Sequence, residues 1–138
     1  MKDIYIQEET IDIAAILDKG ASSSDGADIA FIGRVRNNSR DREVTLIDYE
    51  IYPEMALSEL NKIADEAIEK SGLNRCIIVH RYGRVFPGET SIIIVVSAPH
   101  RGQTYEGSRY IIDEIKKRVP IWKKEHYTDG SEWISDRS

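Results

Sequence analysis

The chain has 138 residues, of which 41% are hydrophobic and 31% charged, and its formal net charge is −5. That length makes one domain, spanning 1–138, with enough residues to bury its own core, and no apolar run approaches the roughly 18 residues of a membrane span. A sequence pI near 5.2 argues against a general nucleic-acid surface, and the opening MKDIYIQEET is too acidic and polar for a secretory signal, so a cytoplasmic location is expected.

In chain order, KDIYIQ alternates as a first strand, and TIDIAAILDKG follows as a short helix with Thr10 as N-cap and Gly20 as its stop. ASSSDG is a loop. GADIAFIGRVR and EVTLIDYEIY read as two strands, and the polar NNSRDR between them predicts a mobile hairpin loop. Pro53 suits the first turn of a helix, PEMALSELNKIADEAIEKSG. Its apolar positions Met55, Leu60, Ile63, Ala67 and Ile68 keep a helical period, and Gly72 closes it.

NRCIIVHRYGRV and TSIIIVVSAP read as strands around the turn FPGE, and the unbroken run Ile92 to Val96 predicts a strand covered on both faces. HRGQTYEGSRYIIDEIKKRV is a last helix stopped by Pro120, and IWKKEHYTDGSEWI predicts a hairpin around Asp129-Gly130. The order βαββαββα plus a terminal hairpin gives an α+β domain with a mixed or antiparallel sheet.

The single cysteine, Cys76, excludes an internal disulfide and falls in an apolar strand, where it reads as a small core residue. His80, His100 and His126 are far apart, with no HxH, HExxH or CxxC pattern, so no metal site is expected.

The segment KKRVPIWKKE stands out against the acidic chain. Lys117 and Arg118 have a structural job available, because Asp113 and Glu114 precede them at i,i+4 and cations complement a helix C-terminus. Lys116 differs: its i−4 neighbour is Ile112, at the margin of the apolar face. Past Pro120 an extended chain puts Ile121, Lys123 and Glu125 on one face, and Trp122, Lys124 and His126 on the other. A lysine at the edge of an apolar surface is suited to proton transfer or imine chemistry. His100 and Arg101 lie where a strand ends and a helix begins, a place that attracts anions, although His100 also suits a plain helix cap. Arg34 and Arg36 share one strand face. Arg36, His100, Arg101, Lys116 and Lys123 together indicate anion recognition with lysine acid/base chemistry. A docking module without chemistry, or a phosphate-ligand or RNA-binding domain, remains open on residues alone.

The blocks GADIAFIGRVRNNSR, LIDYEIYPEMA, VHRYGRVFPGE, SAPHRGQTYEG and IKKRVPIWKKE resemble, in order and spacing, the large catalytic subunit of molybdopterin synthase, from about residue 2 to 137. The resemblance implies an α/β hammerhead-type fold with an added antiparallel β subdomain. It implies a homodimer carrying a small ubiquitin-like subunit at each end, a heterotetramer in which no resident cofactor or metal takes part. The implied activity is that of a sulfurtransferase. Sulfur passes from the partner's thiocarboxylated C-terminus to cyclic pyranopterin monophosphate, and two transfers make the molybdopterin dithiolene of molybdenum cofactor biosynthesis. By the same resemblance Lys116 and Lys123 are the catalytic pair, Phe31, Arg36, His100 and Arg101 bind substrate, and Arg137 reaches a neighbouring subunit's pocket. Arg34 where lysine is common, Ile121 where phenylalanine is common, HRGQ and the compact NNSRDR loop depart from the family pattern and touch pocket shape rather than charge.

Overall fold

The computed structural model describes residues 1–134; Arg137 lies outside them. The elements are β1 (Lys2–Gln7), α1 (Ile13–Asp18), β2 (Ala27–Arg34), β3 (Asn38–Ser39), β4 (Arg42–Ile51), α2 (Pro53–Ser71), β5 (Arg75–Arg81), β6 (Gly83–Val85), β7 (Thr90–Ala98), α3 (Arg101–Arg118), β8 (Ile121–Tyr127) and β9 (Gly130–Ile134). One sheet has the order β1-β5-β7-β2, with β1 parallel to β5 and the other pairs antiparallel. The other runs β3-β4-β8-β9, with β6 also joined to β4. The expected α+β class, the mixed sheet and the added antiparallel sheet are all present.

Hydrophobic pattern explains the layering. Leu60 and Ile63 of α2 and Ile111 and Ile115 of α3 bury against Ile78, Ile94 and Val96 on one face of the first sheet. Each such side chain contributes about 1.5–3 kcal/mol. Ile13 and Ile16 of α1 cover Ile77, Val79, Ile93 and Val95 on the other face. Strand β7 is therefore buried along nearly its whole length, as its unbroken apolar run predicts. A smaller core of Val35, Val44, Ile47, Val85 and Tyr127 holds the second sheet.

Four local expectations are corrected. The N-cap of α1 is Asp12, whose carboxylate accepts from the Ala15 N–H at 3.1 Å, in place of Thr10. Met55 faces solvent while Ala56 and Ala64 take the buried positions of α2, because a small side chain allows the helix to approach the sheet. Strands β2 and β4 do not form a hairpin with each other: β2 pairs with β7 in the first sheet. NNSRDR is instead the tip of a short β3–β4 hairpin that turns at Arg40 and Asp41, with φ of 54° and 62°. Finally, NRCIIVHRYGRV is two strands. Gly83, at φ 78°, turns the chain from β5 in the first sheet to β6 in the second, a conformation that costs an L-residue about 1–2 kcal/mol.

Candidate active site

A cleft of about 210 Å³ opens where the C-terminal end of α3 meets the two sheets. Helix α3 lines it with Ile112, Ile115 and Lys116, and its C-cap residue Val119 adds to the same side; the three helical positions are the i, i+3, i+4 stripe of one face. Strand β8 contributes Ile121, Lys123 and Glu125, the alternate residues that its extended chain must present together. Lys116 and Lys123, from different elements, thus reach one cavity.

The neighbours of Lys116 are engaged elsewhere. Lys117 Nζ lies 3.5 Å from Glu114. Arg118 bonds Glu66 of α2 at 2.6 and 3.0 Å and also approaches Glu59 and Glu114, which ties α3 to α2. Asp113 pairs with Arg109 at 3.7 Å. The basic run divides as its spacing suggests: its last two members brace the helix, and its first faces the cleft.

The opposite wall comes from β2 and the chain that follows it, through Phe31, Gly33, Arg34 and Arg36. The β2–β7 register shifts between Gly33 and Arg34. A Cβ on Gly33 would sit 2.7 Å from the Ile92 side chain, so only glycine lets the strand approach this closely. Arg34 and Arg36 add cationic donors to the two lysines.

Tyr49, His80 and Ser91 complete the inner wall. Tyr49 stands opposite Lys123 in the β4–β8 ladder, and its ring meets the His80 ring edge-on at 5.4 Å. Burial raises the Tyr49 pKa, and the Ser91 hydroxyl works in the opposite direction. His80 Nδ1 lies 2.7 Å from the Arg81 carbonyl oxygen. Burial pushes the His80 pKa down to about 4, and the charges of Lys116 and Lys123 push the same way. Glu125, 8% exposed, accepts from the Tyr127 hydroxyl at 2.7 Å. Sequence patterning had not singled out Tyr49, His80 or Ser91. Their strands carried the signal only jointly, through a cross-sheet arrangement that no local spacing encodes.

His100 and Arg101 do not line this cleft. They sit at the N-terminal end of α3, with His100 as the N-cap residue and its N–H donating to Gln103 Oε1 at 3.0 Å. Arg101 and Lys116 are fifteen helical steps apart, about 22 Å at 1.5 Å per residue. Within one chain, Arg36, Lys116 and Lys123 come together in this cleft, and His100 and Arg101 lie at the other end of α3.

Cys76 is fully buried, and desolvation lifts its thiol to about 12, which makes it inert as a nucleophile. Among the described residues no cluster of His, Cys, Asp and Glu is arranged to hold a metal ion. No helix there is long and apolar enough to cross a membrane.

The profile of the MoaE protein family matches residues 6–118. A relative from Emericella nidulans named molybdopterin synthase catalytic subunit is 42% identical over 129 residues, 93% of this chain, and the chain spans 66% of that relative's length. The crystal structure of molybdopterin synthase from Staphylococcus aureus superposes with a TM-score of 0.89 at 36% identity, covering 95% of this chain and 96% of that one. A structure from Helicobacter pylori, a complex of subunits 1 and 2 of molybdopterin-converting factor, has the same fold at a TM-score of 0.80 and 22% identity, covering 98% and 92%.

Proposed function

The chain belongs to the MoaE protein family, the family of molybdopterin synthase catalytic subunits, and we propose that it transfers sulfur from the thiocarboxylated C-terminus of a small ubiquitin-like partner to cyclic pyranopterin monophosphate. The observation that carries the proposal is the convergence of Lys116 and Lys123 on one cleft that also holds Arg36 and Phe31. A docking module would need a groove for the partner's tail, but no pair of amines at its end.

The chemistry brings two anions together, a thiocarboxylate and a cyclic phosphate. The cations of Arg34, Arg36, Lys116 and Lys123 offset that repulsion. The thiocarboxylate sulfur arrives ionised and attacks a substrate carbon, so the enzyme has no need of a thiol, in keeping with the buried Cys76. One lysine ammonium gives a proton to the oxygen leaving that carbon, while the other steadies the charge of the tetrahedral adduct. Water then cleaves the bond between the partner's acyl carbon and sulfur. A second partner repeats the transfer to complete the dithiolene.

The assembly we propose is a central homodimer with a partner subunit at each end, working in the cytoplasm. A second copy also gives His100 and Arg101 a role: in trans, they supply anion-binding groups to the cleft of the neighbouring chain, together with Arg137. Reconstitution tests the proposal. The protein is mixed with a thiocarboxylated ubiquitin-like subunit and cyclic pyranopterin monophosphate, and dithiolene product is followed by mass spectrometry. Product supports the proposal, and partner binding without product leaves a docking module.

A further inference from the structure

The polar groups that Arg34, Arg36, Lys116 and Lys123 bring to the cleft are hydrogen-bond donors only. A heterocyclic substrate carries N–H and O–H groups as well as its phosphate, and those need acceptors. Glu125 is partly used by the Tyr127 hydroxyl, and Ser91 Oγ donates to the Gly33 carbonyl at 3.3 Å. Among the acceptors of the wall, which include Ser91 Oγ and the Asn38 amide oxygen, His80 carries its acceptor on a ring held from two sides.

The Arg81 carbonyl 2.7 Å from Nδ1 is only an acceptor, so Nδ1 carries the proton and Nε2 holds the lone pair. The backbone carbonyl at one side and the Tyr49 ring edge-on at 5.4 Å hold the imidazole in place. The ring is 6% exposed and lines the cleft. Burial and the two lysines disfavour its protonation, so it does not become one more donor at neutral pH.

Resting on the function proposed above, we propose that His80 is a substrate-binding residue of this cleft, with Nε2 accepting a hydrogen bond from an N–H or O–H of the heterocyclic substrate. The assignment makes the wall bipartite: cations read the phosphate and thiocarboxylate, and a neutral acceptor reads the ring. It also explains a histidine that ends the apolar run Cys76–Val79 of β5, where Ile or Val would bury without a polar atom to satisfy.

The test uses full-length protein and cyclic pyranopterin monophosphate itself. His80→Leu is expected to weaken substrate binding by about tenfold or more, the cost of leaving a donor unpaired, while His80→Gln, which offers a carbonyl acceptor, recovers most of it. Affinity for the thiocarboxylated partner stays as in the wild type in both variants, which separates a lost substrate contact from a damaged fold. Should the leucine variant fail to fold, the wild type still decides. The chain has three histidines, and the ¹⁵N resonance of His80 Nε2 is expected to move upfield when saturating substrate donates to its lone pair. An unmoved resonance, or unchanged binding by folded His80→Leu, overturns the assignment and leaves the sulfur-transfer reading standing. A wild-type protein that binds no substrate overturns both.

Discussion

Lys123 stands directly opposite Tyr49 across the antiparallel β4–β8 ladder. This pairing places the lysine after the tryptophan above a half-buried aromatic wall, and Ile121 and Glu125 occupy the same face two residues to either side. The α3 stripe through Lys116 closes over the same space. Tyr49 therefore shapes the cleft without supplying its charge. Tyr49→Phe removes only the hydroxyl and keeps the ring, and is expected to cost about 1 kcal/mol or less, with sulfur transfer largely retained. Tyr49→Ala removes the wall and is expected to cost about 3–5 kcal/mol, with transfer lost. Urea denaturation beside the transfer assay checks both.

Arg118 holds Glu66 ionised far below its ordinary range, with a pKa of about 2 in place of 4.5, and the Tyr110 hydroxyl assists. A carboxylate whose pKa is depressed by folding adds stability that is fully present above its unfolded pKa. That stability is lost as pH falls. The window here runs from about 4.5 down to about 2. Glu66→Gln is predicted to flatten the fall in stability across that window and to leave transfer at neutral pH unchanged. Unfolding curves collected as a pH series show it, and an equal slope in both proteins counts against the ion pair.

Cys76 is the chain's only thiol, and its burial in the core keeps it protonated. Cys76→Ala is expected to cost about 1 kcal/mol through the small void left behind, and to transfer sulfur at the wild-type rate per folded molecule. If transfer disappears while the fold and partner binding persist, sulfur passes through this cysteine and the direct route fails.

The proposed homodimer, with His100 and Arg101 at the far end of α3 from Lys116, predicts complementation between copies. Arg101→Ala and Lys116→Ala are each expected to be inactive as pure dimers. In a mixed dimer one site keeps both wild-type groups, the lysine from one chain and the arginine from the other. Unfolding and refolding the two variants together should restore part of the activity. If no activity returns although mixed dimers form, Arg101 does not act in trans.

The sequence carried the parts of the fold that are locally periodic. Alternation in IWKKEHY placed Lys123 on the cleft face of β8, the unbroken run in β7 gave its double cover, and the Ile112–Lys116 spacing separated Lys116 from Lys117 and Arg118. What it concealed is nonlocal. β2 leaves its sequence neighbour to pair with β7, a choice decided by the shared apolar core rather than by the polar loop beside it. Gly83 breaks what composition presents as one strand, and a lone glycine does not announce its φ. The candidate site shows the same split. The lysines are legible from spacing and resemblance, whereas His80, at the end of a buried strand, gains meaning only when β4 and α3 are brought against it.

The central claim is that Lys116 and Lys123 perform sulfur transfer in the cleft they share. The most direct measurement is single-turnover formation of dithiolene product by wild type, Lys116→Ala and Lys123→Ala, with partner affinity measured on the same samples. General acid and electrostatic contributions of this kind are worth roughly 10²–10⁴-fold in rate. The account predicts a fall of that order in each variant, with partner affinity unchanged and the double variant little worse than either single one. Product formed at the wild-type rate by either variant would contradict it and return that lysine to the solvated helix end or strand from which it projects.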